Sequence, residues 1–110
     1  MRAYLIDEIS PHDMTKIGGL LRKKAIPSRV EGIFWMEMPK DLLTPTQLEH
    51  RECRPHVFAV ELGPGRIKLE FLIRSLTRMS CTCSAYCNEK QRNYIVDLIH
   101  QMIHELGIRT

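Results

Sequence analysis

Three thiols fall within seven residues at Cys81-Thr82-Cys83-Ser84-Ala85-Tyr86-Cys87, and a fourth lies in His50-Arg51-Glu52-Cys53-Arg54-Pro55-His56. Cysteine acts as its thiolate, either as a metal ligand or as a nucleophile. Zinc takes about four soft or borderline donors in a tetrahedron. Cys81, Cys83 and Cys87, joined by Cys53 or His56, would supply that number. Neither segment carries the paired Cys-x-x-Cys knuckles of recognisable zinc sites, and the plainer alternative is four small side chains buried independently.

A nucleophilic role points to Cys87. It precedes Asn88, the predicted cap of the last helix, where unpaired amides and the helix dipole favour a thiolate. Arg74, Arg78 and Arg92 would add positive charge and form an anion pocket. The spacing from Cys87 to Arg92 is too short for a phosphatase-like thiol loop, and the residues between them read as a first helical turn. His100 and His104 are four apart and share a helix face, but no glutamate follows His100, so the zinc-protease motif is absent. A solvated helix face accounts for the pair more simply.

The elements that must position these residues are legible in outline. Residues 2–6 read as a first strand. Ser10-Pro11-His12-Asp13 is a helix start, with a capping serine and proline at the first helical position. Met14, Ile17, Leu20, Leu21 and Ala25 follow on one face, and Pro27 ends the helix. Residues 29–38 read as a second strand, apolar on both faces at its centre. Thr44-Pro45-Thr46-Gln47 repeats the capping logic and opens a short helix to about Arg51. Residues 57–62 and 66–74 flank Gly63-Pro64-Gly65 as a hairpin. In its second arm Ile67, Leu69, Phe71 and Ile73 alternate with largely polar neighbours. Asn88 and Gln91 cap a final helix whose stripe runs Ile95, Leu98, Ile99, Met102, Ile103 and Leu106, with Gly107 as its stop.

The order β-α-β-(short α)-β-β-α implies an α+β domain over residues 1–110. The expectation is a mixed four-stranded sheet with both long helices on one face, the first two strands running parallel through a right-handed crossover. Ile33, Trp35 and Leu72 would then form an apolar patch on the uncovered face, suited to a protein partner or a second copy of the chain. Trp35 in the core is the competing expectation.

Composition narrows the function classes. Hydrophobic residues at 44% and charged residues at 26% are ordinary globular values. No apolar run exceeds four residues, whereas a membrane span needs about 20. The amino terminus turns acidic at Asp7-Glu8 before a signal core forms, so a reducing, cytoplasmic setting with free thiols is expected. The net charge of +3 arises entirely in residues 51–110, where nine basic residues meet six acidic ones. Arg51, Arg54, Arg66, Arg74 and Arg78 are too sparse, and too poor in interleaved aromatics, for a nucleic-acid surface. The expected function is therefore a small binding or regulatory domain without turnover, with zinc as a candidate structural ion. The alternative is a thiol enzyme that uses Cys87 on an anionic or disulfide substrate.

Overall fold

The computed structural model describes residues 2–109. The elements are β1 (Ala3–Ile6), α1 (Pro11–Lys24), β2 (Ile26–Pro27), β3 (Ile33–Glu37), α2 (Pro45–Glu49), β4 (His56–Gly63), β5 (Arg66–Glu70), β6 (Leu72–Ser75), β7 (Ala85–Tyr86) and α3 (Glu89–Glu105). Short 3-10 turns at Lys40–Leu42 and Arg51–Cys53 flank α2.

The helix ends follow local chemistry. Ser10 accepts from the Asp13 amide ahead of Pro11, and full capping boxes form at Thr44/Gln47 and Asn88/Gln91. Each satisfies amides that the first helical turn would leave unpaired. Ile17 and Leu21 from α1, with Ile95, Ile99, Met102 and Ile103 from α3, join one buried cluster with Phe34, Phe58, Val60, Ile67 and Leu69. Those sheet residues alternate along their strands and so share one face. Both long helices therefore cover the same side, as expected.

The sheet itself differs from the expectation. It has seven strands rather than four, in the order β1-β5-β4-β3-β2, with β6 pairing beside β4 and β7 beside β6. Every pairing is antiparallel, so β3, the strand expected to run parallel to β1, runs opposite to it; only the two-residue β2, which is not paired with β1, shares its direction. The reason lies in residues 28–32, which form a turn rather than the start of a strand. The Ser28 hydroxyl donates to the Val30 carbonyl at 2.8 Å and accepts from the Val30 amide at 3.0 Å. Gly32 takes φ +85°, a conformation that a side chain would strain. This hairpin lays β2 against β3 and turns the chain so that β3 runs opposite to β1.

A second departure splits the long arm 66–74. Val57 faces Arg74, and Val60 faces Leu69, so residues 58–59 of β4 face residues 70–73. Such a bulge bends a strand and re-aims its side chains. The Phe71 amide donates to the Arg2 carbonyl, and the Phe71 carbonyl accepts from the Cys87 amide at 2.7 Å. Phe71 and Ile73 stay buried, while β6 swings across to pair with the start of β4. That swing matters most for the site, because it delivers the loop after β6 to the segment before β4.

Candidate metal centre

Two segments meet at the start of β4. The first is the C-terminal cap of α2 and its following 3-10 turn, in which the Cys53 amide donates to the His50 carbonyl at 3.0 Å. This turn places His50 and Cys53, three residues apart, on one side of the chain. The second is the wide loop of residues 76–84 between β6 and β7, which carries Cys81 and Cys83.

Ser75 joins them. It is wholly buried; its hydroxyl donates to the Cys53 carbonyl and accepts from the Arg78 amide at 2.9 Å. The Leu76 amide donates to the Pro55 carbonyl at 3.0 Å, and the Thr77 hydroxyl donates to the Glu52 carbonyl at 3.3 Å. Within the loop, tight turns bring the Cys81 amide to the Arg78 carbonyl at 3.0 Å and the Ser84 amide to the Cys81 carbonyl at 3.2 Å.

The result is a compact donor set. One nitrogen of His50 and the sulfurs of Cys53, Cys81 and Cys83 all lie within 4.8 Å of one another. His50 Nδ1 is 3.3 Å from Cys81 Sγ and 3.9 Å from Cys53 Sγ. A tetrahedron with Zn–S of about 2.3 Å and Zn–N of about 2.0–2.1 Å has S···S edges of about 3.8 Å and N···S edges of about 3.5 Å. The two N···S distances bracket the N···S edge, and all four donor atoms lie within 4.8 Å of one another, so the four residues could hold a metal ion. Cys53 and Cys83 are buried, while His50 and Cys81 are partly exposed, leaving the site a route to solvent on one side.

Electrostatics favour a cation here. Cys81 is held down to about 6, chiefly by the backbone N–H of Cys83 and then by the thiols of Cys53 and Cys83. Cys83 is pushed up to about 12, first by burial and then by its hydrogen bonds to Cys81 and Cys53. Without an ion, the cluster concentrates negative charge on the Cys81 sulfur. A divalent cation would replace the remaining thiol protons, which is why such binding releases protons.

His56 lies just outside this group, as the first residue of β4. Its Nε2 is 3.5 Å from Cys83 Sγ, and its Nδ1 is buried with no hydrogen-bond partner among the described residues. Burial, followed by the charges of Arg54 and His50, keeps the ring neutral. A proton on Nε2 leaves no buried donor unpaired, so His56 is placed to donate to the Cys83 sulfur rather than to bind an ion.

Of the five residues singled out as ligands from the sequence, the structure thus gathers Cys53, Cys81 and Cys83 and sets His56 against one of them. Cys87 lies apart. It sits one residue before the α3 cap and packs partly buried against the hydrophobic cluster, where desolvation pushes its thiol up to about 11. Nearby Arg92 opposes that shift without reversing it. The fourth donor, His50, was missed from the sequence. Its signal was the His50–Cys53 spacing across a helical end, visible only once α2 is known to stop there.

The other sequence candidates are dispersed. Arg74 on β6 pairs with Glu70 at 3.0 Å, Arg78 is exposed in the loop, and Arg92 lies on α3. Ile33 and Trp35 line a cavity on the uncovered sheet face, and Leu72 lines a neighbouring depression beside Tyr86. His100 and His104 are exposed on α3, and His100 Nε2 is 2.7 Å from the Tyr4 hydroxyl. None of the described helices is long and apolar enough to cross a membrane. No family model, curated protein or solved structure matches the chain.

Proposed function

We propose that this chain is a non-catalytic binding domain stabilised by a structural zinc ion at His50, Cys53, Cys81 and Cys83. The observation that carries this reading is the gathering of three sulfurs and one imidazole nitrogen, drawn from two segments, within 4.8 Å of one another. A set of three thiolates and one histidine fills all four positions that zinc prefers, leaving no open position for substrate, and closed sites of this kind are structural. The ion would tie the 76–84 loop to the end of α2, adding to the hydrogen bonds centred on Ser75. Thiolate ligation requires reduced cysteines, which fits a reducing compartment.

The thiol-enzyme alternative gains no support from Cys87, because its surroundings favour the neutral thiol. The deciding experiment is elemental analysis of untagged protein purified without chelator, paired with a native thiol count. About one zinc per chain, with Cys87 alone left to label, and slowly, is the expected result. Four titratable thiols and no zinc uptake from an equimolar supply would reject the metal centre.

A further inference from the structure

The face of the sheet opposite the helices is not uniformly polar. Ile33, Trp35 and Ala59 form its apolar floor; Trp35 and Ala59 are directly paired across β3 and β4. Ser28, Arg29 and Val30 of the turn and Leu76 and Met79 beyond β6 line the rest of a half-open cavity of about 620 Å³. That volume lies within the range of about 300–1,000 Å³ typical of small-molecule sites. Val30 on one wall is 59% exposed and Met79 on the other is 41% exposed, so both walls turn large apolar side chains to solvent beside an apolar floor.

The charges around the cavity are unbalanced. Arg29 and Arg74 line it with Glu70 as the only acidic residue. Arg74 lies 5.7 Å from the centre of the Trp35 ring, and its Nη2 donates to Glu70 at 3.0 Å. Its Nε is buried and has no partner among the described residues. Leaving a buried guanidinium N–H without an acceptor is costly, and planar pairing with a carboxylate is what the guanidinium fork does best.

We propose that this cavity binds a small amphipathic organic acid, an aromatic or branched aliphatic carboxylate whose apolar part rests on Trp35 while its carboxylate meets Arg74 and Arg29. The concave, half-open shape favours a small molecule over a flat protein partner, and the excess of arginine over glutamate in the lining favours an acid over a neutral compound. The inference stands apart from the metal centre, although the loop that carries Met79 also carries Cys81 and Cys83.

Trp35 is the only tryptophan in the chain, so its indole N–H gives a single resolved signal in a ¹H–¹⁵N spectrum. The test titrates 3-phenylpropionate and 4-methylvalerate against the full chain, each beside its uncharged amide. Saturable shifts of the Trp35 indole and the Ala59 amide are expected, with each acid binding at least tenfold more tightly than its amide. Arg74→Met should remove that preference. Val30→Glu, a change at an exposed wall that disturbs no buried group, should weaken acid binding at least fivefold. Arg66→Met, exposed on β5 outside the cavity, should change nothing. Shifts that do not saturate, or equal binding of acid and amide, would overturn the proposal. So would an indole signal that moves with protein concentration alone as a dimer forms, since the face would then belong to a second copy.

Discussion

If His50, Cys53, Cys81 and Cys83 hold zinc, the ion binds the folded chain far better than the unfolded one and must raise the melting temperature. Free zinc at about 100 times its dissociation constant stabilises a folded protein by about 2.7 kcal/mol. Unfolding entropy of about 2.1 cal/mol/K per residue gives about 230 cal/mol/K for this chain of 110 residues. The melting temperature should therefore rise by about 12 °C between chelator and excess zinc, less whatever zinc the unfolded thiols retain. The fold should survive chelation, because the hydrophobic cluster from Ile6 to Ile108 includes none of the four ligands. Circular dichroism melts of the wild type, Cys81→Ser and Cys87→Ser, each in zinc and in chelator, make the comparison. Cys81→Ser should lose most of the zinc-dependent rise. Cys87→Ser should melt lower in both buffers, since its sulfur packs against the core, yet keep the full difference between them. A wild type indifferent to zinc, or a Cys81→Ser protein with an undiminished rise, would refute the ligand assignment.

Thiol labelling of the chelated protein provides a pH test. Cys81, held down to about 6, is thiolate above that pH, so its alkylation rate should be nearly flat from pH 7 to 8 and fall on acidification below 6. Cys87, pushed up to about 11, should label slowly at pH 7 and still be accelerating at pH 9; peptide mass spectrometry that finds the reverse order contradicts the electrostatics described. His56→Phe removes the N–H beside Cys83 Sγ, and loss of such an outer partner typically costs about 10–100-fold in metal affinity. A competition titration with a coloured chelator measures this, and unchanged affinity would deny His56 a positioning role. Ser75→Ala strands the Cys53 carbonyl and the Arg78 amide. It should cost about 1–3 kcal/mol in urea unfolding, and an unmoved midpoint would show that water replaces the hydroxyl without loss.

Much of the secondary structure was legible from the sequence because its causes are local. The caps at Ser10, Thr44 and Asn88 each depend on a partner three residues away, and all three form. The alternation of Ile67, Leu69, Phe71 and Ile73 correctly marked a buried face, even across the bulge that divides the arm. The cysteine-rich segment was equally visible as the place where chemistry concentrates. Strand direction was not, because the Ser28–Gly32 turn replaces the first residues of what reads as one strand over 29–38, and only that turn decides that β3 opposes β1.

The membership of the donor cluster was likewise beyond the sequence. Cys87 is nearest to the other two loop thiols along the chain, but β7 pairs with β6 and carries it away toward α3 and the core. His56 is as close to Cys53 in sequence as His50 is, but as the first residue of a buried strand it approaches Cys83 from outside the group. His50 enters because α2 ends there and the following turn aims it beside Cys53. Residue types and short-range spacing determined that a thiol site was available. Which donors come together was decided by β6 crossing to the start of β4, where His56 pairs with Ser75 and Val57 with Arg74, a contact whose energy is not encoded in either segment alone.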